Sequence, residues 1–192
     1  MIAKGTFVGV SYFSPPPTGA NDPERERAVI ETGVLEARGD AVLEAICTKA
    51  CRQVLGKASL LSVLYGETQY VIAAHGFAIG AYRRRNSLSG HALYADDDLF
   101  VVPDLCADKR FAENPWVNGE VGRFRYYAAS LIRPHGRLPV GVISVLDDKP
   151  RPSISSAERN AMLAAAVEAA ARIVQISHDR NTAPVPTPPG DS

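Results

Sequence analysis

Residues 123–133 and 138–146 form two long runs rich in Phe, Tyr, Ile, Leu and Val, separated only by Pro134-His135-Gly136-Arg137. Aromatic and β-branched residues over such lengths favour strands. Four residues are enough to turn an antiparallel pair, whereas a parallel return needs roughly a dozen or more. The pair therefore reads as the central hairpin of an antiparallel sheet, which the rest of the chain has to cover.

Upstream, Asn21-Asp22-Pro23-Glu24 opens a helix. Asp22 accepts from free backbone N–H groups, and Pro23 fits the first turn. Val29, Ile30, Val34 and Leu35 are expected to face the core, with Gly39 as the stop. Asp40 caps a second helix with Val42, Leu43, Ile46, Ala50 and Val54 on its apolar face, ending at Gly56. Strand-length runs at 58–65 and 69–74 flank Gly66-Glu67-Thr68, a hairpin turn. The basic stretch 82–86 leads to a short helix at 87–94, a strand at 99–103 and a second short helix at 107–114, closed by Pro115. After the central hairpin, Ser155-Ser156-Ala157-Glu158 has the form of a capping box. It opens a long Ala-rich helix to about Ile176, with Leu163, Ala166, Val167, Ala170 and Val174 on one stripe. Two helices, five to six strands with short helical insertions and a final long helix imply an α+β layer structure.

The ends differ from this body. Residues 6–13 alternate weakly, as a short strand would, and Ser-Pro-Pro-Pro-Thr-Gly follows at 14–19. Residues 1–20 are therefore read as an arm and Pro-rich linker, 21–178 as the domain, and 179–192 as a disordered Pro-rich tail. At 192 residues, with 46% hydrophobic and 22% charged residues, the chain is long enough for one domain with a sizeable core. The formal net charge of +0 argues against nucleic acid as a partner. No apolar run approaches the ~18 residues of a membrane span. Three cysteines, an odd and small number, suit a reducing compartment. These features together read as a cytoplasmic protein with no membrane partner.

Val101-Val102-Pro103-Asp104 followed by Asp108-Lys109-Arg110-Phe111-Ala112-Glu113-Asn114-Pro115-Trp116-Val117 resembles a segment of GAF domains, in which a strand ends in Asp ahead of a D-x-R-F-x-x-N-P-x-V series. Residues 123–131 are similar to the family's next strand, Gly141-Val142-Ile143-Ser144-Val145-Leu146-Asp147 to its G-T-L-C-V-x-D strand, and Pro150, Arg151 and Glu158 to the lead into its last helix. Upstream, Gln69, Gly76 and 87–92 fit more weakly, so that the resemblance covers roughly 24–176. It implies a central antiparallel sheet of five to six strands, with the N- and C-terminal helices on one face and a loop-covered cavity on the other. It also implies a sensory or regulatory module of signal transduction. The expected partners are a small molecule of unknown identity, a signalling protein, and a second copy paired through the first and last helices. Because the chain ends soon after its last helix, any signal is expected to leave through such a partner. The cavity candidates the resemblance implies are His91, Tyr94, Asp104, Cys106, Phe111, Trp116 and Tyr126. It fixes no cofactor.

Cys47 and Cys51 share one apolar helix face, as small core residues do. Asp104-Leu105-Cys106 resembles the Asp-x-Cys-Phe motif of some bilin-binding members, but Ala107 stands in place of Phe, and Gly90 precedes His91 where a Cys-His pair is expected. Ser89 and Ser144 stand at positions where a methionine sulfoxide-reducing branch carries cysteines. Asp108-Lys109-Arg110-Phe111 lacks the order of the cyclic-nucleotide motif. His91 reads as a hydrogen-bonded structural residue, Asp108 as an ion-pair partner of Arg110, and Arg83-Arg84-Arg85 as a solvated loop. No phosphate loop, metalloprotease motif or nucleophile elbow occurs in the sequence. The expectation is a non-catalytic sensor. The alternative is a small thiol-dependent redox enzyme of the free methionine sulfoxide reductase type, and a third reading is a domain that only mediates contacts.

Overall fold

The computed structural model describes residues 12–136 and 138–182. Six antiparallel strands form one sheet in the order β3-β2-β1-β6-β5-β4. They are β1 (Ala58–Tyr65), β2 (Thr68–His75), β3 (Gly80–Arg83), β4 (Leu99–Val102), β5 (Tyr126–Ile132) and β6 (Gly141–Asp147). The predicted hairpin is present as β5 and β6, next to β1 at the middle of the sheet. Helices α1 (Asp22–Thr32), α2 (Ala41–Gln53) and α4 (Ser156–Thr182) cover one face, and α3 (Leu88–Leu93) lies with the loops on the other.

Both faces of the sheet are buried. Leu61, Val63, Ile72, Tyr126, Ala128, Ile143 and Val145 point to the three helices. Leu60, Leu64, Val71, Tyr127, Ala129, Val142 and Leu146 point to α3 and the loops. A β-bulge between Leu61 and Ser62 breaks the β1–β2 register, pairing Leu61 with Ala73 and Ser62 with Val71. Ile72 and Ala73 therefore both lie in the helix-side core. The Ile72 carbonyl accepts from Gly39 N at 2.8 Å, which pins the α1–α2 connection to the sheet.

The caps of α2 and α4 act as their residue types require, whereas no side chain caps α1 and Asp22 turns its carboxylate to Tyr94, Arg25 and Arg84 instead. Asp40 accepts from Val42 N and Leu43 N at 3.1 and 3.0 Å, and Arg172 of α4 holds its carboxylate at 2.6 Å. The capping box forms: Ser155 Oγ accepts from Glu158 N at 3.2 Å, and Glu158 accepts from Ser155 N at 2.8 Å. Arg151 ties the start of α4 to the ends of α2 and β6. It donates to Val54 O, Leu55 O, Glu158 and Asp147, and lies 4.4 Å above the Tyr126 ring. Leu55, just past α2, holds a left-handed backbone (φ 55) with its side chain 77% exposed.

Several expectations need correction. Gly33, at φ 62, ends α1, and a 3-10 turn (Val34–Ala37) runs on toward Gly39. Ile30 and Val42 are 53% and 47% exposed rather than in the core. No helix forms at 107–114, where successive turns follow one another instead. On α4 the buried stripe is Met162, Ala165, Ala166, Ala169 and Ile173, and Val167 is 70% exposed. The Pro-rich stretch is not a free linker in its described part. Pro16 packs on α3 so closely that a Cβ at Gly90 would stand 2.5 Å from it, and Ser14 N donates to Arg110 O. The strand expected over 6–13 lies almost wholly outside the described residues, as does most of the Pro-rich tail. The final helix runs on to Thr182.

Candidate functional site

On the loop side of the sheet a small cavity lies between β1, β2, β3, β5, β6, α3 and two loops. Its floor is polar. Gln69, buried on β2, donates from Nε2 to Ser62 Oγ at 2.8 Å and to Ser89 Oγ at 3.5 Å. Tyr127 of β5 donates to the same Ser89 Oγ at 3.2 Å, and Ser144 Oγ lies over Leu60 O at 3.4 Å. Burial pushes the Tyr127 hydroxyl far above its ordinary pKa, so it stays protonated and donates. Ser89 is placed by the N-terminus of α3, where Ser87 Oγ caps Gly90 N at 3.0 Å.

Aromatic side chains roof this floor. Phe77, in the β2–β3 turn, lies 5.3 Å from Trp116, 5.6 Å from Tyr82 and 6.3 Å from Phe124, centroid to centroid. All four are half-buried, and their tilted packing is the geometry aromatic rings prefer. Buried Asn114 sets Trp116: its Oδ1 accepts from Trp116 N at 3.0 Å, and its Nδ2 donates to Asn86 O at 3.2 Å. Trp116 O in turn accepts from Phe124 N at 3.0 Å. With the roof down, the free space is about 20 Å³, room for about one water. None of the lining side chains is an acid, an Arg, a Lys or a His. Among the described residues no group of three His, Cys, Asp or Glu is placed to hold a metal ion, and no helix is long and apolar enough to cross a membrane.

Of the seven expected cavity residues, Trp116 lines this space. Phe111 is fully buried in the same apolar cluster, under the loops. His91, its pKa lowered by burial, is bonded to Ser14 O at 3.0 Å with its ring edge-on to Phe111. Asp104 grips Arg125 through two bonds of 2.7 and 2.6 Å, and that partner holds its carboxyl below the usual range. Cys106 beside it is exposed, while Cys47 and Cys51 are buried in α2 on the opposite side of the sheet. Burial pushes the Cys47 thiol up to about 12, and no second thiol stands on the side of Cys106. Tyr126 faces the helices, and it is Tyr127 that reaches the cavity.

Tyr94 belongs to a second constellation, one the sequence reading did not anticipate. Asp22 accepts from Tyr94 Oη, from Arg25 Nε at 2.9 Å and from Arg84 Nη2 at 3.0 Å. Both arginines are buried. Arg25 also donates to Leu64 O, and Arg84 to Gly66 O and Pro17 O. The network joins α1, the β1–β2 turn, the stretch after β3, α3 and the Pro-rich arm. Arg84 is thus no solvated charge, although Arg83 and Arg85 are exposed.

No protein-family model matches the chain. A cyclic di-GMP phosphodiesterase of Pseudomonas aeruginosa is 32% identical over 136 residues, which is 71% of this chain and 23% of that protein. The match thus spans less than a quarter of the relative's length. Among solved structures, the phycocyanobilin-bound GAF domain of a cyanobacterial phytochrome aligns with 86% of this chain and all of its own length, with a TM-score of 0.58 at 13% identity. This chain has the GAF fold. The GAF domain of an Acinetobacter phosphoenolpyruvate-protein phosphotransferase agrees, covering 88% of this chain and 100% of its own at a TM-score of 0.56 and 10% identity. In GAF terms, the helix-side core carries α1, α2 and α4, and the cavity lies on the loop side.

Proposed function

We propose that this GAF fold serves as a non-catalytic sensory module of signal transduction, which binds a small molecule beneath the roof of Phe77, Tyr82, Trp116 and Phe124. The observation that carries this reading is the floor of Gln69, Ser89 and Tyr127, a polar network set in an otherwise apolar cavity on a rigid sheet. Phe77, Trp116 and Phe124 come from turns and loops, the class of segment that opens most readily, while Tyr82 stands on the edge strand β3. Tyr82 is two residues from Arg84, so roof movement would reach Asp22 and α1 through the ionic network. The phosphodiesterase relative supports a place in second-messenger signalling, with the chain standing for the regulatory part of such a protein.

The output of this reading is helical. Leu163, Val167, Ala170 and Val174 recur at three- and four-residue spacing on α4, outside its buried stripe, and Val167 and Ile30 are the most exposed apolar side chains of α4 and α1. A second copy pairing through α1 and α4 would cover them. Native mass spectrometry of the full chain purified from its own host tests both halves. The expected species is a dimer carrying a small molecule that is lost from a cavity-filling Leu88→Trp variant. A ligand-free monomer would overturn the reading.

A further inference from the structure

The chemistry of the cavity wall restricts what it can hold. Its lining is aromatic and aliphatic except for Gln69, Ser89 and the hydroxyls of Tyr82 and Tyr127. A carboxylate or phosphate taken into it would leave water without meeting a cation, and a buried charge without a partner is strongly disfavoured. The network's arginines are no substitute, because Arg25 and Arg84 are already engaged by Asp22 and by backbone carbonyls. A cationic ligand would meet aromatic rings but no carboxylate, so the lining offers it no counter-charge.

The polar groups present have a particular shape. Gln69 offers one end of its amide to Ser62 and Ser89. Whichever way that amide is set, its other end is left without a hydrogen-bond partner among the described residues, and it is one of the few polar groups facing the cavity. Beside it, Ser89 Oγ accepts from both Gln69 and Tyr127 and keeps its own proton to give. The matching ligand edge carries a donor next to an acceptor. The rest of the wall is Leu60, Leu88 and Leu146 with four rings that pack on one another at 5.3–6.3 Å, and a further ring inserted among them gains the same tilted contacts.

We infer that the cavity, which holds about one water with the rings in place, takes small, uncharged aromatic molecules with an amide-like edge when Phe77, Trp116 and Phe124 move aside, the edge on Gln69 and Ser89 and the ring under Trp116. This rests on the small-molecule reading above and narrows it. Trp116 is the chain's single tryptophan, so its indole N–H gives one isolated proton–nitrogen NMR signal that reports the roof directly. The test titrates the isotope-labelled full chain with benzamide and, separately, with benzoate, which has nearly the same shape and a negative charge. The expected result is a shift of the Trp116 signal by benzamide with a Kd at least tenfold lower than that for benzoate. Gln69→Leu should weaken benzamide at least tenfold, and Ser89→Ala, a smaller change to the fold, should weaken it in the same direction. Benzoate binding as tightly as benzamide overturns this inference and leaves the small-molecule reading standing. A Trp116 signal that neither probe moves overturns both.

Discussion

Asp22 shows how a single carboxylate can hold a fold's connections together. Burial alone would raise its pKa, but the hydrogen bonds from Tyr94, Arg25 and Arg84 outweigh burial and hold it at about 2. Its stabilising contribution is therefore complete above the ordinary aspartate value of 3.8 and is lost as pH falls toward about 2. Asp22→Asn should cost about 2–3 kcal/mol in urea unfolding at pH 7, because it leaves two buried guanidinium groups with only the longer pairings to Glu26, 3.4 and 4.0 Å away. The gap between variant and wild type should close as the pH is lowered toward 2. A gap independent of pH would show that packing, not charge, is lost. The sequence gives no sign of this network: Arg84 sits in a run of three arginines, and a run of charge reads as solvent-facing. Tyr126 and Tyr127 pose the same problem in another form. Both faces of β5 are buried, so alternation cannot say which ring meets the helices and which meets the cavity.

Among the elements, α4 was the easiest to locate and the hardest to orient. Its start is written in Ser155 and Glu158, and its length in an unbroken alanine-rich pattern. Alanines on every side blur the apolar moment that would tell one face from another. Of the expected stripe of Leu163, Ala166, Val167, Ala170 and Val174, Ala166 is buried, Leu163, Ala170 and Val174 are half-buried, and Val167 faces outward. The two faces should respond differently to substitution. Ala169→Leu, against the sheet, should cost about 1–3 kcal/mol by overpacking. Val167→Lys should change stability by less than about 0.5 kcal/mol while abolishing self-association in sedimentation velocity. If Val167→Lys leaves a dimer intact, the interface lies elsewhere. The region 107–114 shows the opposite failure. Its residues are compatible with a helix, but Asp108 bonds its own Arg110 N and side chain, and Asn114 bonds Trp116 N. Such local side-chain bonds favour turns over a continuing helix.

For the molecule as a whole, the sheet's two cores explain why so much of the fold was legible and so little of the site. The positions of strands and helices follow from long apolar patterns, which sequence records well, while the placement of the helices on one face came with the GAF resemblance and the strand order only with the structure. The cavity depends on Gln69, Ser89 and Tyr127 meeting from three separate elements, and only tertiary packing brings them together. The same division should appear in hydrogen exchange. Amides of β1, β5 and β6, covered on both faces, should exchange only through global unfolding, while those of 103–125 exchange through local opening. Uniform protection across the two would contradict a roof able to open.

Leu55 carries a consequence of another kind. A leucine in a left-handed backbone, with most of its side chain in water, is strained and receives little packing in return. Its carbonyl is what Arg151 requires, and any residue supplies that. Leu55→Gly should raise thermal stability by about 0.5–1 kcal/mol, measurable as a higher Tm with the fold unchanged. For protein engineering, this places an improvement on the helix side of the sheet, away from the roof, where a sturdier scaffold need not stiffen the part that has to move.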